Sequence, residues 1–221
     1  GYIPYPTNQE KTLNDFAAKH GSVQYKPIVA LLKAWFGANA TAENEYGYQW
    51  LPKNNPANMP IQPQFFSKME EGQFKLLLNW GSNSTVSIPD RKLVARGLSK
   101  LEMLVVADIF NTETAQFWKE DGLNPSAIPT EVIFLPAAFV YEKAGSMTNS
   151  SRLVQWKEVA LKPLNDCHPD LDMLDHIFKR VRALYSGSND PKDEPILKAN
   201  WDYGDHEASA LKVLQDLGGY N

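Results

Sequence analysis

Cysteine is almost absent from this chain. Cys167 stands alone, so no internal disulfide can form and no C-x-x-C pair exists for a metal or for redox exchange. An excess of positive charge is lacking too: 22 Lys and Arg face 26 Asp and Glu, for a net charge of -4. Without a broad basic field to meet a phosphate backbone, nucleic acid is not an expected partner. No apolar run approaches the ~18 residues of a membrane span, and the N-terminus shows no basic-then-apolar leader. Position 1 is Gly rather than Met, which reads as an excised piece or a processed product. The fingerprints G-x-G-x-x-G and G-x-x-x-x-G-K-[ST] are missing, which removes the usual dinucleotide and P-loop signatures. So is the nucleophile elbow G-x-S-x-G, and a hydrolase using Asp108 with His176 or His168 has little support.

What is present suits a soluble α/β protein of 221 residues, enough for one large or two small domains. Residues 1–73 read as a helical lobe or insertion. Helix-spaced apolar residues occur at Leu13, Phe16 and Ala17, then at Ile28, Leu31, Leu32 and Trp35. The proline-rich stretch 50–64 is expected to lie extended. Residues 74–160 read as a parallel α/β unit. Three short apolar runs, 74–80, 101–108 and 130–136, have the character of strands buried on both faces. The segments 89–100 and 112–118 are predicted helices, the second with Asn111 or Thr112 as its N-cap. Strand, helix, strand, helix, strand implies right-handed parallel connections. A long loop or hairpin follows Pro136. Residues 161–221 hold an amphipathic helix at 169–185, a polar linker at 186–195 and a last helix stopped by glycine. The apolar face of the 169–185 helix is expected to carry Leu171, Leu174, Ile177, Phe178, Val181 and Leu184.

In an open parallel sheet, ligands sit at the carboxyl ends of the strands, where loops offer unpaired backbone groups. The first such end is Asn79 to Thr85. There Gly81 permits close backbone approach, and Ser82, Asn83, Ser84 and Thr85 supply short hydrogen-bonding side chains. The second runs from Asp108 to Thr112, where the carboxylate could hold a ribose diol or the N1-H and amino edge of a guanine. Asp108 could equally cap a following helix, and Asn83 and Ser84 could simply shape a turn. Cys167 beside His168 is a poor thiol-imidazole pair, because sequence neighbours point apart. Asp172 and His176 at i, i+4 read as a solvated ion pair rather than a metal site. The cluster of Tyr141, Glu142, Lys143, Arg152, Gln155 and Trp156 could line a site or decorate a hairpin.

The blocks "SKLEMLVVADIFNTETAQFW", "TEVIFLPAAFVYEKAGSMTNSSRLVQW" and "DLDMLDHIFKRVRALY" resemble, in order, the catalytic subunit of molybdopterin-dependent formate dehydrogenases, in the dimethyl-sulfoxide-reductase superfamily. "GYIPYP" and "ATAENEYGYQWLPK" are similar to its respiratory, membrane-associated branch. The resemblance covers residues 1 to about 203 and implies an internal stretch of a larger oxidoreductase. Its fold would be the Rossmann-like parallel sheet with flanking helices of the pterin-dinucleotide-binding domain. The cofactor implied is molybdopterin guanine dinucleotide, with molybdenum or tungsten and an iron-sulfur cluster held elsewhere in the subunit. Matched to the family's G-x-N-P loop and its Asp-x-x-x-Thr, the cofactor-binding residues implied are Gly81, Ser82, Asn83, Asp108 and Thr112. Asn149 joins them through the pattern E-x-x-G-x-x-x-N-x-x-R, carried here by Glu142, Gly145, Asn149 and Arg152.

Two positions depart from the family pattern: Ser84 replaces the usual Pro, and Trp80 stands where Gln or Met is common. The iron-sulfur cysteines and the metal-ligand segment of the family are not in this chain, so it is not expected to turn over formate alone. The partners implied are the remainder of the catalytic subunit, an iron-sulfur electron-transfer subunit and a membrane cytochrome subunit, in a periplasmic, membrane-associated complex. The other reading is a stand-alone nucleotide-binding or interaction module of the same fold.

Overall fold

The structure, a computed structural model, describes residues 4–56, 62–148 and 153–218. It consists of two compact units whose segments interleave in sequence.

The sheet unit is drawn from Pro60–Lys143 and Ala160–Asp170. Its strands are β1 (Leu76–Trp80), β2 (Met103–Asp108) and β3 (Glu131–Pro136). They lie side by side in that order, all parallel, with Trp80 opposite Ala107 and Asp108 opposite Pro136. That register brings the carboxyl ends of all three strands to one edge. Helix α3 (Gln62–Glu70), the single turn α4 (Ser84–Ser87) and helix α5 (Arg91–Leu98) complete the unit. Phe66 and Met69 of α3 and Val94 and Leu98 of α5 pack with Leu104 and Val106 of β2 and with Phe117 in one core. Asp90 caps α5, accepting the Leu93 N–H at 3.0 Å.

Three expectations change in this unit. Helix α3 begins inside the proline-rich stretch expected to be extended. Its prolines sit before or in the first turn, where a missing N–H costs no helical bond, and Phe66 and Met69 repay the turn by burial. The predicted helix at 112–118 is a series of turns ending in a single 3-10 turn at Phe117–Lys119. The Thr114 N–H and hydroxyl both bond to the Asn83 side chain, and such side-chain competition displaces helical bonding. Burial on both faces fails for β1, whose Leu76 and Leu78 are 51% and 47% exposed. The helices cover the Leu77 face only.

The helical unit is drawn from Gly1–Met59, Ala144–Val159 and Leu171–Asn221. Helices α1 (Leu13–His20) and α2 (Ser22–Phe36) lead it, α1 with a capping box between Thr12 and Asp15. Leu13, Phe16, Ile28, Leu32, Phe36 and Tyr48 form its core; the first four belong to the expected apolar face, Phe36 and Tyr48 do not, and the expected Trp35 is only partly buried against it. Strands β4 (Gly145–Thr148) and β5 (Val154–Lys157) make the antiparallel hairpin expected after Pro136. Helix α6 (Asp170–Leu184), α7 (Glu194–Lys198) and α8 (Ala210–Leu217) follow, so the linker expected at 186–195 ends in a helix start.

Helix α6 has the expected span but a different buried side. Asp172, Met173 and Asp175 are buried, while Leu174 is 42% and Leu184 73% exposed. Polar contacts set this orientation: Asp172 accepts the Ala208 N–H at 2.7 Å, and Asp175 accepts the Trp201 indole N–H at 2.7 Å and pairs with Lys179 at 2.6 Å. The Phe178 ring stacks on Trp201 at 3.9 Å. Asp172 and His176 therefore form no ion pair, and the His176 ring bonds the carbonyl of His206 at 3.2 Å.

Candidate functional site

The site lies at the carboxyl edge of the three-stranded sheet. At the end of β1, Gly81 has φ of 56°, and a β-carbon placed there would meet nothing within 4 Å. This is a left-handed conformation that favours glycine. Its N–H donates to the Ala107 carbonyl at 2.8 Å, extending the ladder past Trp80. The buried Asn79 side chain holds the loop that follows, donating to the Ser82 carbonyl and accepting from the Ser84 hydroxyl at 3.0 Å.

Asn83 reaches across to the second loop. Its carbonyl oxygen accepts the Thr114 N–H at 3.2 Å and the Thr114 hydroxyl at 2.9 Å, and its amide donates to Glu113 at 2.7 Å. That amide bond, followed by the N–H of Glu113 itself, holds the exposed Glu113 carboxyl below the ordinary range. Thr114 is fully buried and accepts both the N–H and the hydroxyl of Thr85, at 3.0 and 3.2 Å.

Asp108 ends β2 and is 9% exposed. One carboxylate oxygen accepts the Ile109 N–H at 2.8 Å, and among the described residues the other takes no hydrogen bond. No helix follows it, so the capping role open to it in the sequence is not realised. Thr112 N–H donates to the Phe110 carbonyl at 2.9 Å. The Thr112 hydroxyl is buried with no partner among the described residues, and so is the indole N–H of Trp80. A buried polar atom left unpaired costs free energy. Beside Thr112 opens a cavity of about 410 Å³, lined by Arg91, Phe110, Glu113, Gln116 and Lys119 among others.

After β3 the chain turns at Phe139, whose N–H donates to the buried Glu142 carboxylate at 2.7 Å. His168 pairs through its backbone with Pro136 and Ala138, and no thiol-imidazole pair forms with Cys167. Lys143 pairs with Asp170. Asn149 and Arg152 lie outside the described residues.

The fold thus gathers Gly81, Ser82, Asn83, Asp108 and Thr112 at one sheet edge. Sequence reasoning gave no role to Asn79, which braces the β1 loop, or to Thr114, which ties the two loops together. Asn79 carried a signal, a polar side chain inside an otherwise apolar strand. Thr114 carried none, because its partner Asn83 is 31 residues away. Among the described residues, no group of three His, Cys, Asp or Glu could hold a metal ion, and no helix is long and apolar enough to cross a membrane.

Comparison with known proteins finds relatives along most of the chain. The chain is 33% identical over 236 residues to the formate dehydrogenase-O major subunit of Escherichia coli, covering 99% of this chain and 23% of that one. It is 33% identical over 213 residues to formate dehydrogenase 2 subunit alpha (cytochrome c-553) of Nitratidesulfovibrio vulgaris, covering 91% and 21%. It is 34% identical over 165 residues to the formate dehydrogenase subunit alpha of Megalodesulfovibrio gigas, covering 75% and 16%. The chain therefore spans less than a quarter of the length of each of these relatives. A family model described as molybdopterin oxidoreductase matches residues 19–180. With that match running through all three strands and both loops at their carboxyl ends, the chain belongs to the molybdopterin oxidoreductase family.

Proposed function

We propose that this chain is the part of a formate dehydrogenase catalytic subunit that embraces the guanine dinucleotide end of one molybdopterin cofactor. The observation that carries the reading is the unpartnered Thr112 hydroxyl on the loop that starts at the half-committed Asp108 carboxylate. Buried polar groups that the protein itself leaves unpaired suit a ligand that supplies the missing bonds.

The residues at this edge fit such a group. The free oxygen of Asp108 suits the N1-H and amino edge of a guanine or a ribose diol. The open backbone at Gly81 admits close approach of a phosphate or sugar, and Ser82 offers a hydroxyl there. Thr112 offers a hydroxyl that can donate or accept. Asn83 has its oxygen committed to Thr114 and one amide hydrogen to Glu113, which leaves its second amide hydrogen to offer. Asn149 completes the proposed set. When bound, the molybdenum or tungsten pterin supplies two-electron redox chemistry; no bond-making step is assigned to residues of this chain. Its role is to bind and orient, and by itself it does not turn over formate.

The same reading places the chain with the remainder of its catalytic subunit, an iron-sulfur electron-transfer subunit and a membrane cytochrome subunit, at the periplasmic face of a membrane. The test is calorimetric titration with GDP and ADP. GDP should bind in preference to ADP, and Asp108→Ala should abolish that preference. Equal binding of the two nucleotides, or a preference that survives Asp108→Ala, would overturn the reading.

A further inference from the structure

The two loops that carry the proposed ligands come from different strands, yet one side chain on the chain after β2 bonds the β1 loop three times. Thr114 receives two hydrogen bonds from Thr85, in the β1 loop, and returns two to Asn83 of the same loop. Its own chain neighbours are Glu113, which Asn83 also holds, and, two residues earlier, Thr112. All the hydrogen-bonding capacity of the Thr114 hydroxyl is spent on this link: one proton donated and both lone pairs engaged. The residue is fully buried, where hydrogen bonds are strong and an unmet partner is costly.

We propose that Thr114 is a positioning residue, a latch that fixes the Gly81–Thr85 loop and the Asp108–Thr112 loop as one rigid cradle. Through Asn83 it sets the distance between Gly81 on one side and Asp108 with Thr112 on the other. Pre-set geometry of that kind lowers the ordering cost when a ligand bridges two loops. The inference rests on the guanine-nucleotide reading for what the cradle holds, but not for the latch itself.

Two measurements on the whole 221-residue chain separate the two claims. The first is amide hydrogen exchange without ligand, comparing Thr114→Val, which keeps the shape and removes the hydroxyl, with Thr114→Ser, which keeps the hydroxyl. Loss of a merely local bond would speed exchange at Thr85 and position 114 only. A latch predicts that Gly81, Ile109 and Thr112, whose N–H groups bond elsewhere, also exchange about tenfold faster in Thr114→Val. Exchange at Val105 and Val106 should be unchanged, and Thr114→Ser should restore the wild-type pattern.

Confinement of the change to Thr85 and position 114 would overturn the latch. Should Thr114→Val not fold, Asn83→Leu breaks the link from its other end and must give the same spread. The second measurement is GDP affinity, expected to fall about tenfold in Thr114→Val and to return in Thr114→Ser. Unchanged affinity in Thr114→Val would overturn the positioning role. Failure of the wild type to bind GDP would sink the proposed function and leave the exchange pattern to judge the latch.

Discussion

Gly97 on α5 faces the backbone carbonyl of Phe66 on α3 so closely that a β-carbon placed on it would lie 2.9 Å from that oxygen. The two helices meet there because nothing projects between them. Gly97→Ala must push a backbone rather than a flexible side chain, and overpacking of this kind costs about 1–3 kcal/mol. Urea unfolding should show that loss, with GDP binding by the remaining folded protein unchanged.

Thr112→Val tests the site from the opposite direction. Replacing a buried hydroxyl that has no partner with an isosteric methyl removes a desolvation penalty, so stability should hold or rise. GDP affinity should fall. A variant that lost stability would show that the protein itself, and not a ligand, needs the hydroxyl.

Acid stability should depend on Glu10, buried in the helical unit. Burial pushes its carboxyl up, but bonds from Lys19 and from the N–H and hydroxyl of Thr7 outweigh that and hold it below its ordinary value. A lowered folded value means the stabilisation is complete above the unfolded value of about 4.3 and is lost as pH falls through the folded one. Glu10→Gln should be less stable near neutrality and show a shallower decline in acid, measured as melting temperature against pH.

Tyr48 gives the alkaline counterpart. Burial, followed by the charges of Glu10 and Glu45, raises its phenol to about 12. A raised folded value favours the folded state fully below the unfolded value of about 10, and that contribution disappears as pH climbs toward the folded one. The Tyr203 phenol is raised as well, by burial and then by its bond to Asp216, so tyrosinate absorbance should show late-titrating phenols, with one fewer in Tyr48→Phe.

Asp175 should be among the costly polar positions of the helical unit. It is fully buried and bonds the indole of Trp201. Asp175→Ala leaves that indole N–H without its acceptor, at a cost of about 1–3 kcal/mol, and should loosen the Trp201 ring from Phe178. Tryptophan fluorescence and chemical unfolding together would show both effects.

The strands were legible in the sequence to within about two residues, because short Leu- and Val-rich runs between turn residues fit few other structures. The same patterning put Asp108 and Gly81 at strand ends. What the sequence hid are decisions made by side chains far apart along the chain. The 112–118 segment has helix-compatible spacing, but Thr114 and Asn83 draw it into turns from 31 residues apart. Helix α6 shows an apolar stripe, yet Asp172 and Asp175 are turned inward by partners at 208 and 201. Local periodicity contains neither fact.

The interleaving of the two units has a consequence for how the chain matures during synthesis. The chain crosses between them after residues 59, 143, 159 and 170. All three strands of the sheet unit have been synthesised once residue 136 is added, and its last stitch arrives when His168 pairs beside Ala137. The helical unit cannot close until Glu194 reaches Trp50 and Asn200 reaches Trp35. The ribosome therefore delivers a sheet that can assemble while the α1–α2 pair still waits for its distant partners. A stall in translation between residues 170 and 194 would leave a sheet unit able to form beside an unfinished helical one.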